Sequence, residues 1–260
     1  MSKEKRFTIA VLTGTWLPWW SNAALGWGTQ TWYGMASIAL GGVMPTVVTL
    51  WLLHREAMSE KKLFWNRLWQ VQRLRRTDWL FLPGLPLLVV TGSIVIGRQL
   101  GISEASLAID QSLVSPGWMI VPAALFILIF GPLPEELGWR GYFLERLLRK
   151  QSPWRASFIV AVVWGLWHVP LYFVPGYPLQ KKWNEPVSIL LYFLALFPIS
   201  MILTLLFLRN AGSTLMAILF HFFINYTGML WDTDAAADLV GVGLWCVAII
   251  LLYPTVKQKK

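Results

Sequence analysis

Eight apolar stretches dominate this chain, most of them near the roughly 20 residues that cross a hydrocarbon bilayer. They fall at about 7–25, 32–53, 78–98, 118–138, 156–174, 187–208, 214–230 and 239–253. The last two are short for a full crossing, so tilt or continuation into the loops is expected. The segments between the stretches are too short to fold alone, and residues 1–260 read as a single integral membrane domain. Charged residues make up only 13% of the chain, against about 25% in soluble domains. That deficit is too large for a buried core to explain. The expected fold is all-α, a polytopic transmembrane helical bundle of about eight spans.

The net charge of +9 would suggest nucleic acid in a soluble protein. Here the basic residues sit in loops and tails, and no nucleic-acid partner is expected. Lys3, Lys5 and Arg6 precede the first span. Arg55, Lys61, Lys62, Arg67, Arg73, Arg75 and Arg76 follow the second. Arg140, Arg146, Arg149, Lys150 and Arg155 are assigned to a loop at 139–155, Arg209 follows the sixth span, and the chain ends KQKK. With eight spans, all of these lie on one side. The other side receives 99–117, without Lys or Arg, and 231–238, with Asp232, Asp234 and Asp238. Its one basic pair is Lys181-Lys182. This asymmetry predicts both termini in the cytoplasm, and the expected setting is a prokaryotic cytoplasmic membrane. The 17 tryptophans also suit a membrane–water interface.

The start MSKEKR, an apolar run and Ser21-Asn22-Ala23-Ala24 mimic a signal peptide; a retained first span is expected instead. Cys246, in an apolar run, has no disulfide or thiolate-metal partner and reads as a buried thiol. Residues 59–76 mix Leu63, Phe64, Trp65, Leu68 and Trp69 with basic residues, as in a helix lying at the interface. A calmodulin-target segment is the sharper reading of the same pattern. Ser152-Pro153 predicts a helix start, with the serine as cap and proline in the first turn.

Ionisable groups inside spans are costly, about 2.5–3.5 kcal/mol each on insertion scales, so they are candidates for function. They fall in three places. In PLPEELGWRGY (132–142), Glu136 and Arg140 are four apart and share a helix face, while Glu135 points about 100° away. One carboxylate can be neutralised and the other presented to a cavity. An interfacial ion pair at a helix end is the plainer alternative. In WGLWHVP, His168 lies well inside its span, where a lone histidine is more often structural. In HFFIN, His221 and Asn225 stand at i and i+4 and face one way, as they would in a simple interhelical hydrogen bond. Of the three histidines, only His54 lies at a boundary.

Two imidazoles and a carboxylate also form a ligand set used by catalytic zinc, here Glu135, His168 and His221. A second carboxylate could then take a proton from the attacking water. There is no HExxH, so zincin geometry is excluded. A proton- or ion-coupled transporter would also use buried Glu and His, but no internal repeat supports it.

EELGWR matches Glu-Glu-x-x-x-Arg, WGLWH an aromatic-x-x-x-His element, and HFFIN His-x-x-x-Asn. In this order and spacing the chain resembles the CAAX protease and bacteriocin-processing (ABI) family of intramembrane endopeptidases, which includes the type II CAAX prenyl proteases. Trp164 stands where the second element usually has Phe, and Trp139 where Phe often precedes the arginine. The resemblance implies a cavity open to the cytoplasm and a peptide or protein substrate at the membrane. It implies that Glu135 activates water, that His168 and His221 bind zinc or act on the water directly, and that Asn225 stabilises the oxyanion. Glu136 and Arg140 would hold the first motif in shape. A non-catalytic bacteriocin self-immunity or scaffold protein of the same family is the alternative.

Overall fold

The computed structural model describes residues 1–69, 76–111 and 115–257. Arg73, Arg75 and the tail beyond Lys257, counted above among the basic segments, lie outside the described residues. Among the described residues the chain is all helix and turn, with no strand. Each of the eight apolar stretches is helical. Among the described residues, five helical runs are long and apolar enough to cross a membrane: Arg76–Gln99, Gly117–Leu148, Pro153–Phe173, Pro186–Arg209 and Ala235–Val256. A sixth results if the pair Trp32–Gly42 and Met44–His54, bent by 43°, is one span. Thr214–Leu230 is apolar but has only 17 residues. The first helix mixes Thr, Trp, Ser and Asn into its apolar run and does not join that set. The count therefore falls short of eight by composition and length, although the helices are where the hydropathy pattern put them.

Helix α1 (Lys3–Leu25) starts with Ser2 accepting from the Lys5 N–H and ends at Gly26, whose φ of 62° favours glycine. Phe7, Val11, Thr15, Trp19 and Asn22 form its buried stripe, at the helical repeat. Asn22 donates to Gly34 O and accepts from Gly28 N–H, so the residues that resemble a cleavage site are built into the fold. Helices α2 (Trp32–Gly42) and α3 (Met44–His54) meet at a bend where Pro45 cannot continue the hydrogen-bond ladder. Helix α4 (Met58–Trp69) covers the first part of the helix expected at 59–76, of which 70–75 lie outside the described residues; Phe64 and Leu68 are buried while Leu63 and Trp65 are exposed. Helix α5 spans Arg76–Gln99.

The central run is α6 (Ile120–Phe130), α7 (Pro132–Gly138), a π-helical turn (Trp139–Leu144) and α8 (Glu145–Leu148). The expected loop at 139–155 is thus mostly helix, and the fourth span runs on to Leu148. Arg140 and Arg146 are buried, not loop charges. The reason is aromatic packing that local charge does not reveal. Trp139, Tyr142 and Phe143 are buried around Phe7 of α1, with Phe143 stacked on it at 5.0 Å.

Helix α9 (Pro153–His168) begins as expected, with Ser152 capping the Arg155 N–H and Pro153 in the first turn. It passes through a 3-10 turn (Val169–Phe173) to α10 (Pro178–Lys181), α11 (Pro186–Arg209), α12 (Thr214–Leu230) and α13 (Ala235–Lys257). Helix α13 extends beyond its apolar stretch at both ends. Cys246 is exposed on α13 beside Val247 and Ile250, contrary to the expected buried thiol. In a bilayer an outward face is as apolar as an inward one, so hydropathy cannot assign it.

Candidate active site

Helix α7 places the first motif. Gly131 breaks the run with φ −122° and ψ −97°, and Pro132 and Pro134 occupy the new first turn, where their missing N–H groups cost nothing. Thr46 of α3 donates to Pro134 O at 2.7 Å. Gly138 lets Pro45 approach so closely that a Cβ there would lie 2.5 Å from the proline's own Cβ. Gly141 plays the same part toward Phe64 of α4, at 2.9 Å. The π turn that follows is a geometry often found where a helix is shaped for function.

Glu136 and Arg140 form the pair that their spacing predicts. Arg140 Nη1 donates to Glu136 Oε1 at 2.7 Å, and both side chains are fully buried. His221 Nδ1 meets the same oxygen at 2.8 Å. A carboxylate can only accept unless protonated, so Nδ1 carries a proton, and in the neutral imidazole Nε2 is then the bare nitrogen. Glu136 thus holds the α7–π junction to α12 and sets the tautomer of His221.

Glu135 takes no part in that pair. Its Oε2 accepts from Trp164 Nε1–H at 2.7 Å. Among the described residues no other group bonds to this carboxylate, and it keeps a small exposure while Glu136 has none. His168, half-buried at the end of α9, donates Nδ1–H to Trp164 O at 2.8 Å. A carbonyl cannot donate, so His168 also keeps Nε2 bare. Asn225, one turn beyond His221, comes beside Gly131: a Cβ built there would stand 3.4 Å from Asn225 Nδ2. Its amide has no hydrogen-bond partner among the described residues. The i, i+4 face of HFFIN therefore meets both ends of the Gly131–Glu136 turn.

Trp164, the aromatic of the second motif, has a part in the site that the motif alone does not assign to it. Its ring lies edge-on to His221 at 5.1 Å, near His168 at 5.8 Å and under the Arg140 guanidinium at 4.9 Å. The available signal was its i, i+4 spacing to His168, which puts both on one face. Tyr192 of α11 packs edge-on to His168 at 5.7 Å, and nothing local marked it among so many aromatics.

Nε2 atoms left open while Nδ1 is held by an acceptor, Trp164 O for His168 and Glu136 for His221, are the chemistry that zinc-binding histidines show. The spacing is not. Among the described residues no three His, Cys, Asp or Glu side chains are gathered to hold one ion. Glu135, His168 and His221 therefore do not form a ready ligand set in this arrangement. What it offers directly is one carboxylate for a proton, two imidazole nitrogens and a primary amide.

A family model described as type II CAAX prenyl endopeptidase Rce1-like matches residues 117–227, which include all six residues singled out above. The chain is also 30% identical, over 263 residues, to the CAAX prenyl protease 2 of Methanococcus maripaludis, covering 96% of this chain and 93% of that protein. With the three motifs and an all-helical membrane fold, these similarities show that the chain belongs to the Rce1-like family of type II CAAX prenyl endopeptidases.

Proposed function

We propose that this chain is an intramembrane endopeptidase in which Glu135 is the general base for an attacking water, near the cytoplasmic face. The observation that carries the reading is the division of the two carboxylates. Arg140 and His221 are both spent on Glu136, and Glu135 remains for proton transfer.

The steps follow from the groups present. Glu135 accepts a proton as the water oxygen bonds to the peptide carbonyl carbon, and the carbonyl π electrons move to its oxygen. The Asn225 Nδ2–H donates to that oxyanion. The C–N bond then breaks, and the proton held by Glu135 passes to the leaving amine. With one O–H of the water on Glu135, the Nε2 of His168 or of His221 accepts the other O–H and aims the oxygen.

The substrate proposed is a peptide or protein held at the bilayer, with a prenylated CAAX-type C-terminus the first choice. The relative's name supports that choice, as does a site enclosed by membrane helices, which a lipid-anchored chain can reach by lateral diffusion. The basic residues of α1, α4 and α8 support a cytoplasmic placement for that end of the bundle.

The test is cleavage of a farnesylated reporter peptide by the full chain in detergent. Glu135→Gln should lower kcat by about 100-fold or more while the thermal unfolding midpoint holds, and His168→Ala should behave similarly. A fully active Glu135→Gln variant overturns the role of Glu135 as the base, whereas a folded parent chain that leaves the reporter uncleaved favours a non-catalytic role. Stoichiometric zinc, with activity lost to chelator and restored by zinc, would replace the metal-free route by a zinc-dependent one.

A further inference from the structure

We infer that Trp164 is the positioning residue of the general base, its indole N–H holding the Glu135 carboxylate so that one oxygen is anchored and the other faces the water. The inference rests on the reading of Glu135 given above and goes beyond it.

Three observations carry it. First, the contact is a charge-assisted hydrogen bond of 2.7 Å between two buried groups. Second, Trp164 is the one donor to Glu135 among the described residues: Arg140 bonds through Nη1 to Glu136, and its Nε and Nη2 bond to neither carboxylate. A carboxylate without that N–H would have no bonded restraint on its rotation. Third, Trp164 is itself rigidly held. Its ring touches Arg140 and His221, and its own carbonyl anchors His168 one turn on. One side chain thus relates the base to the imidazoles on two helices.

The usual phenylalanine at this place would keep the ring contacts and the backbone carbonyl, but it has no N–H. The hydrogen bond is therefore a feature of this chain's own residue. It is separable from the packing role, because the N–H can be removed without changing the shape.

The test replaces Trp164 with 3-benzothienylalanine, in which sulfur stands for the indole N–H, in the full chain in detergent. Trp164→Phe is the second variant, and Glu135→Gln is measured alongside. The expected result is kcat lower by about 10- to 100-fold, with KM for the farnesylated reporter and the thermal midpoint unchanged. Trp164→Phe should show the same split. A purely structural tryptophan would instead leave kcat of the isostere within about twofold of the parent; that outcome, with Glu135→Gln inactive, overturns this inference and leaves the proposed function standing. An active Glu135→Gln overturns both.

Discussion

Two Glu–Arg pairs with the same i, i+4 spacing lie on one continuous helical run, yet they have opposite characters. Glu136–Arg140 is closed at 2.7 Å with no exposure on either side chain. Glu145–Arg149 is closed at 2.8 Å, but Arg149 is 42% exposed. The second pair belongs to a wider network. Glu145 also meets Arg67 and Arg146, and Arg149 also meets Glu60 of α4. The first has one further partner, His221, and leaves Glu136 Oε2 and Arg140 Nε and Nη2 without hydrogen bonds. A buried pair of this kind is a weak source of stability but a strong constraint on geometry. Here the constraint falls on the tautomer and place of His221. The outer network ties α4 and α8 together around the buried Glu145 and Arg146, and its rim at Arg149 and Glu60 is solvated, where each bond is replaceable and screened.

The largest expected effect breaks the inner pair. Arg140→Ala leaves Glu136 buried without its cation, and should destabilise the chain by about 3–5 kcal/mol, with cleavage lost. Denaturant unfolding in mixed micelles and the reporter assay check this. Cost and activity loss comparable to those of a surface variant would erase the distinction between the two pairs.

Arg149→Ala should cost about 0–1 kcal/mol, and the difference from the parent should shrink further in high salt. Parallel melts at low and high ionic strength measure it. A cost matching that of Arg140→Ala would mean that the outer network is as rigid as the inner one.

The smallest effect is a pH dependence of the outer network. The hydrogen bond from Arg149 holds the Glu60 carboxyl below the usual carboxylate range; burial opposes this, and the charges of Arg146 and Arg149 add to it. A lowered folded value means that Glu60 stabilises the fold above its unfolded value, about 4.3. That contribution is lost as pH falls through the folded value. The parent should therefore be slightly more stable than Glu60→Gln near neutral pH, and the gap should close below about pH 4. A gap that widens on acidification would contradict the sign.

Much of the site was legible in the chain itself. The spacing of Glu136 and Arg140, and of His221 and Asn225, placed each couple on one helix face, and the structure keeps both. The adjacency of Glu135 to Glu136 implied different directions, and the two carboxylates do take different partners. Ser152-Pro153 began a helix where expected. Other expectations failed for want of three-dimensional information. Arg140 was counted with the loop charges because a guanidinium looks the same in a loop as in a buried pair. The fourth span was ended at 138 because the charged residues after it disguised a buried π turn packed on Phe7.

An all-helical membrane fold and the helix faces carrying polar groups are written in the chain itself, since these depend on hydropathy and on spacing along one helix. Only the tertiary structure decided which helices meet. It brought His221 to Glu136 rather than Glu135, put the Trp164 N–H on Glu135, and turned Cys246 outward. The physical reason is that in a bilayer the inward and outward faces of a helix are almost equally apolar. The choice of partner then rests on close packing at a few small residues, as where Gly138 admits Pro45 and Gly141 admits Phe64.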